Sequence, residues 1–106
     1  MSGFDLFILI FYTLDHYWDK HGGAELGNFL SGMNPFLFLG EGSAVPDVYD
    51  KYEKFLSGRD VSLENSYQIA CEYIGYLGEE YISDAFSWVE KDKWNEKCKK
   101  YLSEKA

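Results

Sequence analysis

Apolar residues recur along this chain at spacings of three and four positions, which is the pattern of helices that bury one face. The first such stretch predicts a helix over residues 4–21, and the glycine pair at 22–23 ends it. A second helix is predicted over residues 24–33. It closes at Asn34 because the following proline disfavours helical backbone in the residue before it. The inner stripe of the first helix consists of Leu6, Ile10, Leu14 and Tyr17.

The same pattern continues towards the C-terminus. A third helix is expected to begin at Pro46 and to end near Phe55 or Leu56, with Val48 and Tyr52 on its inner side. A fourth helix opens at Ser62, which gives only a weak capping signal. It ends near residue 78, and another helix then continues to residues 101–102.

These elements predict an all-α fold, because no Asn-Gly hairpin and no convincing pair of strands appears. We expect a single domain over residues 1–106, built as a bundle of four to five helices. A chain of this length can bury one core but not two. The predicted core includes Leu6, Ile10, Leu14, Phe29, Leu30, Phe55, Ile74 and Leu77.

Residues 34–45 are the least helical part of the chain and predict one irregular loop. The run Phe36–Leu39 places four apolar residues in succession there, just before the turn at residues 40–43. Such a run has to be covered by something. Two interpretations remain open: the run folds back onto the core, or it forms an exposed contact loop.

The formal net charge is −8, and it is unevenly spread along the chain. Residues 1–90 carry −11, whereas residues 91–106 carry +3 and predict a Lys-rich C-terminal helix or tail. Lysines suit the negative end of a helix dipole. So acidic a body repels nucleic acid and anionic lipid and attracts a basic protein. We therefore expect a protein partner, and neither nucleic acid nor a membrane.

The side chains that support catalysis are few: two His, two Cys and one Arg. His16 and His21 are five positions apart, so on a helix they diverge by about 140° and do not form a helical metal motif. Neither a nucleophile elbow nor a phosphate-binding loop occurs. We expect no catalytic residue, no metal ion and no cofactor, and hence a protein that is not an enzyme.

The cellular compartment is expected to be the cytoplasm. The apolar stretch at residues 4–14 lacks both a preceding basic residue and a following cleavage site, so it does not match a secretory signal. It is also shorter than the about 20 residues that a membrane-spanning helix needs. Cys71 and Cys98 form no CxxC motif and no disulfide framework, which favours a reducing environment.

Aromatic residues are abundant, with 9 Tyr, 8 Phe and 3 Trp. Tyr and Trp anchor interfaces because they bury a large area at little entropic cost. On the third helix, carboxylates three and four positions apart surround an aromatic ring. The predicted partner-binding residues are Trp18, Asp19, Glu41, Asp47, Tyr49, Asp50 and Glu53. In a second interpretation, Tyr49 and Trp18 are partly buried core rings beside an ordinary solvated face.

The segment from Asp15 to Phe55 carries three successive motifs: DHYWDKHGG, LGNFLSGMNPF and GEGSAVPDVYDKYEKF. It resembles small bacterial immunity proteins of contact-dependent growth inhibition and related polymorphic-toxin systems. Members often show an L-x-x-L-L-S-x-M-like helix, a Gly-containing loop and a helix that begins with Asp-Pro and ends in an aromatic residue. The matching positions are Leu26, Phe29, Leu30, Ser31, Met33, Gly40, Gly42, Pro46 and Phe55.

One position departs from that pattern. Val45 stands where the family commonly has Asp, so a side-chain cap is lost at the start of the third helix. Either Ser43 or Asp47 supplies a compensating interaction, or the helix starts differently.

The resemblance implies a cytoplasmic protein that binds and neutralises the toxin domain of a cognate effector, usually a nuclease, without catalysis of its own. Many nuclease toxins have basic clefts, which an acidic aromatic surface can occupy in place of phosphate. The alternative is a helical homodimeric scaffold without a toxin partner, which buries Phe36–Leu39 against a second copy.

Overall fold

The structure, a computed structural model, describes residues 1–105. These residues form six α-helices and one short 3₁₀ turn, and they contain no strand. The helices are α1 (Gly3–His21), α2 (Ala24–Met33), α3 (Pro46–Leu56), α4 (Leu63–Leu77), α5 (Glu80–Ser87) and α6 (Lys91–Lys105), and the 3₁₀ turn spans Pro35–Leu37. The all-α prediction is confirmed, whereas the predicted count of four to five helices is too low.

Helix α1 is the centre of the fold and packs against each of the other five helices. A capping box starts it: Ser2 Oγ accepts a hydrogen bond from the Asp5 backbone N–H, and the Asp5 carboxylate accepts one from the Ser2 N–H. The predicted stripe residues Leu6, Ile10 and Leu14 are fully buried. The sequence pattern of α1 therefore describes its role in the core correctly.

The additional helix arises where one continuous C-terminal helix was expected. Between α5 and α6, Val89 turns into the core, and its carbonyl accepts a hydrogen bond of 3.2 Å from the Tyr67 hydroxyl. Trp94 is fully buried, and its indole N–H donates to Ser66 Oγ at 2.9 Å. These contacts with α4 redirect the chain at residues 88–90, where no glycine or proline marks a break.

The predicted core is confirmed in its centre and less complete at its edges. Leu6, Ile10, Leu14, Leu30 and Ile74 are buried, while Phe29, Phe55 and Leu77 are partly buried and pack against the core. The inner face of α3 also differs from the predicted stripe. It is formed by Tyr49, Tyr52 and Leu56, because both tyrosine rings pack against Phe7 of α1.

Candidate protein-binding surface

Residues 34–45, the 34–45 loop, form a closed loop on the surface. Two backbone hydrogen bonds of 2.9 Å join its ends, from the Ala44 N–H to the Asn34 carbonyl and from the Val45 N–H to the Gly32 carbonyl. The loop is thus closed by its own backbone and leaves from and returns to the end of α2. These two bonds close the loop without using the side chains at its tip.

The tip of the 34–45 loop is apolar and exposed. Relative exposure is 56% for Phe36, 70% for Leu37 and 99% for Leu39. The ring of Phe38 turns back over Gly42, where any side chain would clash with it. Of the two interpretations of this run, the structure shows the exposed loop for Leu37 and Leu39, while Phe36 is partly exposed and also packs against Phe11 of the core.

Ser43 holds the start of α3 in place. This residue is fully buried, and its Oγ accepts a hydrogen bond of 3.1 Å from the Tyr49 N–H and donates one of 2.5 Å to the Val45 carbonyl. Val45 occupies the position before the helix and provides no side-chain cap. Of Ser43 and Asp47, the two residues expected to supply an interaction in place of a side-chain cap, Ser43 does so, while Asp47 is exposed.

Tyr49 lies beneath the acidic residues and not among them on the surface. Its side chain is only 6% exposed, and its ring packs edge-on against Phe4 and Phe7 of α1. Burial, together with the negative charges of Glu53 and Glu41, raises the pKa of Tyr49 to about 12. Tyr49 is therefore not the outward-facing aromatic anchor that was predicted, because α1 occupies its ring.

The exposed face of α3 carries charges of both signs. Asp47 and Asp50 are exposed as predicted, but Lys51 and Lys54 follow each of them at a spacing of four residues on the same face. The acidity of this helix is thus partly balanced there. Glu53 has no lysine four positions away, so its negative charge is not balanced in this way. Together with Glu41, it contributes to the raised pKa of Tyr49.

Trp18 and Asp19 lie apart from α3. Helix α3 packs against Phe7 near the start of α1, and Trp18 is about 16 Å further along the helix axis. The Trp18 indole N–H donates to the Gly23 carbonyl at 3.0 Å, which keeps the half-exposed ring close to the start of α2. The seven predicted residues therefore form two groups and not one continuous surface.

The 34–45 loop carries Glu41 of the second group and meets α1 at a level between Phe7 and Trp18. Its Phe36 ring packs against Tyr12 and Phe11 in the middle of α1, with ring centroids 5.6 and 6.1 Å apart. Helix α3, with Glu53, follows the loop in the chain. Phe36, Leu37 and Leu39 are not among the seven predicted binding residues, although their place in a run of four apolar residues was the available signal.

A groove of about 410 Å³ between α1 and α2 runs from the start of the 34–45 loop to Trp18. Its lining includes Trp18 at one end, Asp15 on α1 and Asn34, where the loop begins. Asp15 and Trp18 are both exposed. The apolar tip of the loop is thus followed by the exposed Glu41, two positions after Leu39, and the groove that starts at Asn34 is lined by the exposed Asp15 of α1.

A larger groove of about 640 Å³ lies between α1 and α6. Asp15 and Asp19 line its α1 wall, whereas Lys97 and Lys100 line its α6 wall. Burial lowers the pKa of Lys97. Because the two walls carry opposite charges, this groove has no clear preference for an anionic or a cationic ligand.

Other classes of site find no support in the part of the chain that the structure describes. Residues 1–105 bring no three His, Cys, Asp or Glu side chains together in a group that could hold a metal ion. Within the same range, every helix is too short or too polar to cross a membrane. The chain matches no protein-family model, and no curated protein and no solved structure matches it.

Proposed function

We propose that this chain is an immunity protein that binds a basic toxin domain one-to-one in the cytoplasm and neutralises it. The observation that carries the proposal is the exposed apolar tip of the 34–45 loop, with the exposed carboxylate of Glu41 two positions after Leu39. An apolar centre with a charged rim is typical of specific protein interfaces. The net charge of −8 attracts a partner of opposite sign and speeds the encounter.

Neutralisation of this kind needs no catalysis by the chain. A nuclease binds the phosphates of its substrate in a basic cleft. Carboxylates such as Glu41 and Glu53 can take the places of those phosphates, while the apolar tip excludes water from the contact. The nucleic acid is then kept out of the cleft. The motifs from Asp15 to Phe55 support the same class of partner, because they resemble immunity proteins of toxin systems.

Co-expression tests this function directly. Immunity genes lie immediately after their toxin genes, so the probe is the C-terminal domain of the protein encoded immediately upstream. We expect cells that express this domain alone to stop growing, and cells that also express the chain to grow normally. Cells that still die when the chain is present in excess would refute the proposal.

The exposed loop also favours a second candidate, the homodimeric scaffold. Two copies that meet through Phe36–Leu39 would bury the exposed apolar side chains of both. The charge argues against this arrangement, because each copy brings −8 to the contact. Size-exclusion chromatography with light scattering separates the two: a stable dimer in the absence of a toxin supports the scaffold, and a monomer excludes it.

A further inference from the structure

The most unusual feature of the surface is the position of Leu37 and Leu39. These two side chains are the most exposed large apolar groups among the described residues, at 70% and 99%. Both belong to a loop whose ends are tied by backbone hydrogen bonds and whose neighbouring Phe36 is packed against α1. The exposure is therefore built into the fold, and large exposed apolar groups in one place mark an interaction site.

The loop is also prepared for binding before any partner arrives. The Asn34 side chain accepts a hydrogen bond of 2.9 Å from the Phe36 N–H and so fixes the 3₁₀ turn that carries Leu37. At the other end of the loop, the buried Ser43 accepts a hydrogen bond from the Tyr49 N–H and so holds the end of the loop to α3. A contact that is already ordered loses less conformational entropy on binding, which favours high affinity.

We infer that Leu37 and Leu39 are the apolar anchors of the interface, and that they enter an apolar cleft with a basic rim on the partner protein. This inference rests on the proposed function and names the part of the surface that holds the toxin. The rim charge follows from the carboxylates beside the tip: Glu41 lies two positions after Leu39, and it shares the surroundings of Tyr49 with Glu53.

The charge of the chain also decides against two other occupants of this loop. A second copy would place a further Glu41 and Glu53 opposite the first pair, and like charges at an interface oppose association. An anionic membrane would repel a body with a net charge of −8. A basic protein is the occupant for which the apolar and the charged contacts both favour binding.

The test compares two variants by isothermal titration calorimetry, with the upstream-encoded C-terminal domain as the probe. Leu37→Ser combined with Leu39→Ser removes the anchors at positions where side chains make few contacts within the fold. Tyr76→Ser is the control, because Tyr76 is 57% exposed and packs beside Phe55 at the other end of α3. Circular dichroism and thermal melting confirm that both variants are folded.

We expect the double leucine variant to bind the probe about 100-fold more weakly than the wild type, or worse, as two apolar anchors lose their burial. We expect Tyr76→Ser to bind within about threefold of the wild type. If the wild type binds and the leucine variant binds equally well, the inference is overturned while the proposed function stands. If the wild type does not bind the probe at all, both are overturned.

Two further outcomes would also overturn the inference. In light scattering, a wild-type dimer that becomes a monomer in the leucine variant would show that the loop faces a second copy. In sedimentation with vesicles of phosphatidylglycerol, binding by the wild type but not by the leucine variant would show that the loop enters lipid. We expect a monomer and no sedimentation for both proteins.

Discussion

The rings of Tyr52 and Tyr73 lie edge to face with their centroids 5.0 Å apart, yet within residues 1–105 only one of the two hydroxyl groups has a hydrogen-bond partner. The Tyr52 hydroxyl donates to the Gly3 carbonyl and so joins α3 to the first residue of α1. The Tyr73 hydroxyl is buried and meets no hydrogen-bond partner among the described residues. Burial raises the pKa of both phenols, so both stay neutral.

This difference predicts opposite effects for two similar substitutions. Tyr73→Phe removes an unpaired buried hydroxyl and should raise the free energy of unfolding by about 1 kcal/mol. Tyr52→Phe leaves the Gly3 carbonyl without its donor and should lower that free energy by about 1 kcal/mol. Urea unfolding followed by circular dichroism measures both. If Tyr73→Phe were less stable than Tyr52→Phe, the assignment of a hydrogen-bond partner to Tyr52 and not to Tyr73 would be wrong.

The stability of the fold should depend on the ionisation of Asp5. Its carboxylate accepts hydrogen bonds from Lys105 Nζ at 2.6 Å and from the Tyr101 hydroxyl at 3.1 Å, which tie the start of α1 to the end of α6. Burial raises the pKa of Asp5, but the hydrogen bonds from Lys105, Ser2 and Tyr101 outweigh it and lower that pKa from 3.8 to about 2.

Because the pKa of Asp5 is lower in the folded than in the unfolded state, its ionised carboxylate stabilises the fold at pH values above the unfolded-state pKa. This stabilisation is lost as pH falls from about 4 to about 2. Asp5→Asn should therefore be less stable than the wild type by on the order of 2 kcal/mol at pH 6, with a much smaller difference at pH 2.5. Asp50→Asn, an exposed acid on α3, is the control and should show little effect at either pH. An Asp5→Asn deficit that is equal at both pH values would contradict this account.

Ser43 should be the most sensitive polar residue of the 34–45 loop. Ser43→Ala removes the acceptor of the Tyr49 N–H at a fully buried position and should lower the free energy of unfolding by about 1–2 kcal/mol. Ser103→Ala on the exposed side of α6 is the matched control and should change stability by less than about 0.5 kcal/mol. Equal effects of the two substitutions would mean that Ser43 does not hold α3 in place.

The sequence was sufficient for elements whose ends carry local signals. Helices α1, α2 and α3 follow the predicted bounds because glycine or proline marks where they begin or end. The break at residues 88–90 has no such mark, since it depends on contacts of Val89 and Trp94 with α4. Contacts between residues distant in the chain are not visible in local periodicity.

The candidate surface was predicted only in part, for related reasons. The exposure of Asp47, Asp50 and Glu53 follows from the spacing of charged residues on a helix. The burial of Tyr49 depends on how α3 is rotated about its own axis against Phe4 and Phe7. The apolar positions of α3 are compatible with more than one such rotation, so the sequence does not decide it. The exposure of Leu39 depends on loop closure by backbone hydrogen bonds, which side-chain patterns do not encode.

The rim carboxylates should act mainly on the rate of association. Glu41→Lys combined with Glu53→Lys reverses the charge beside the apolar tip and should slow association with the toxin domain by about tenfold or more at low salt. The dissociation rate should change much less. Asp84→Lys combined with Glu96→Lys changes the net charge equally on α5 and α6, and should slow association less. Surface plasmon resonance over a salt series measures both rates.

If the second pair slows association more than the first pair, the contact face lies on the side of α5 and α6. If neither pair alters either rate constant at any salt concentration, electrostatic attraction does not guide this partner. Both results would contradict the assignment of the acidic rim to the 34–45 loop and α3.

The most direct measurement of the central claim is a titration of toxin activity. The purified C-terminal domain of the upstream-encoded protein is held at a fixed concentration in a nuclease assay, and the chain is added in increasing amounts. Tight one-to-one binding that blocks the cleft predicts a linear fall of activity to background at one equivalent. Full activity at a tenfold excess of the chain would contradict it.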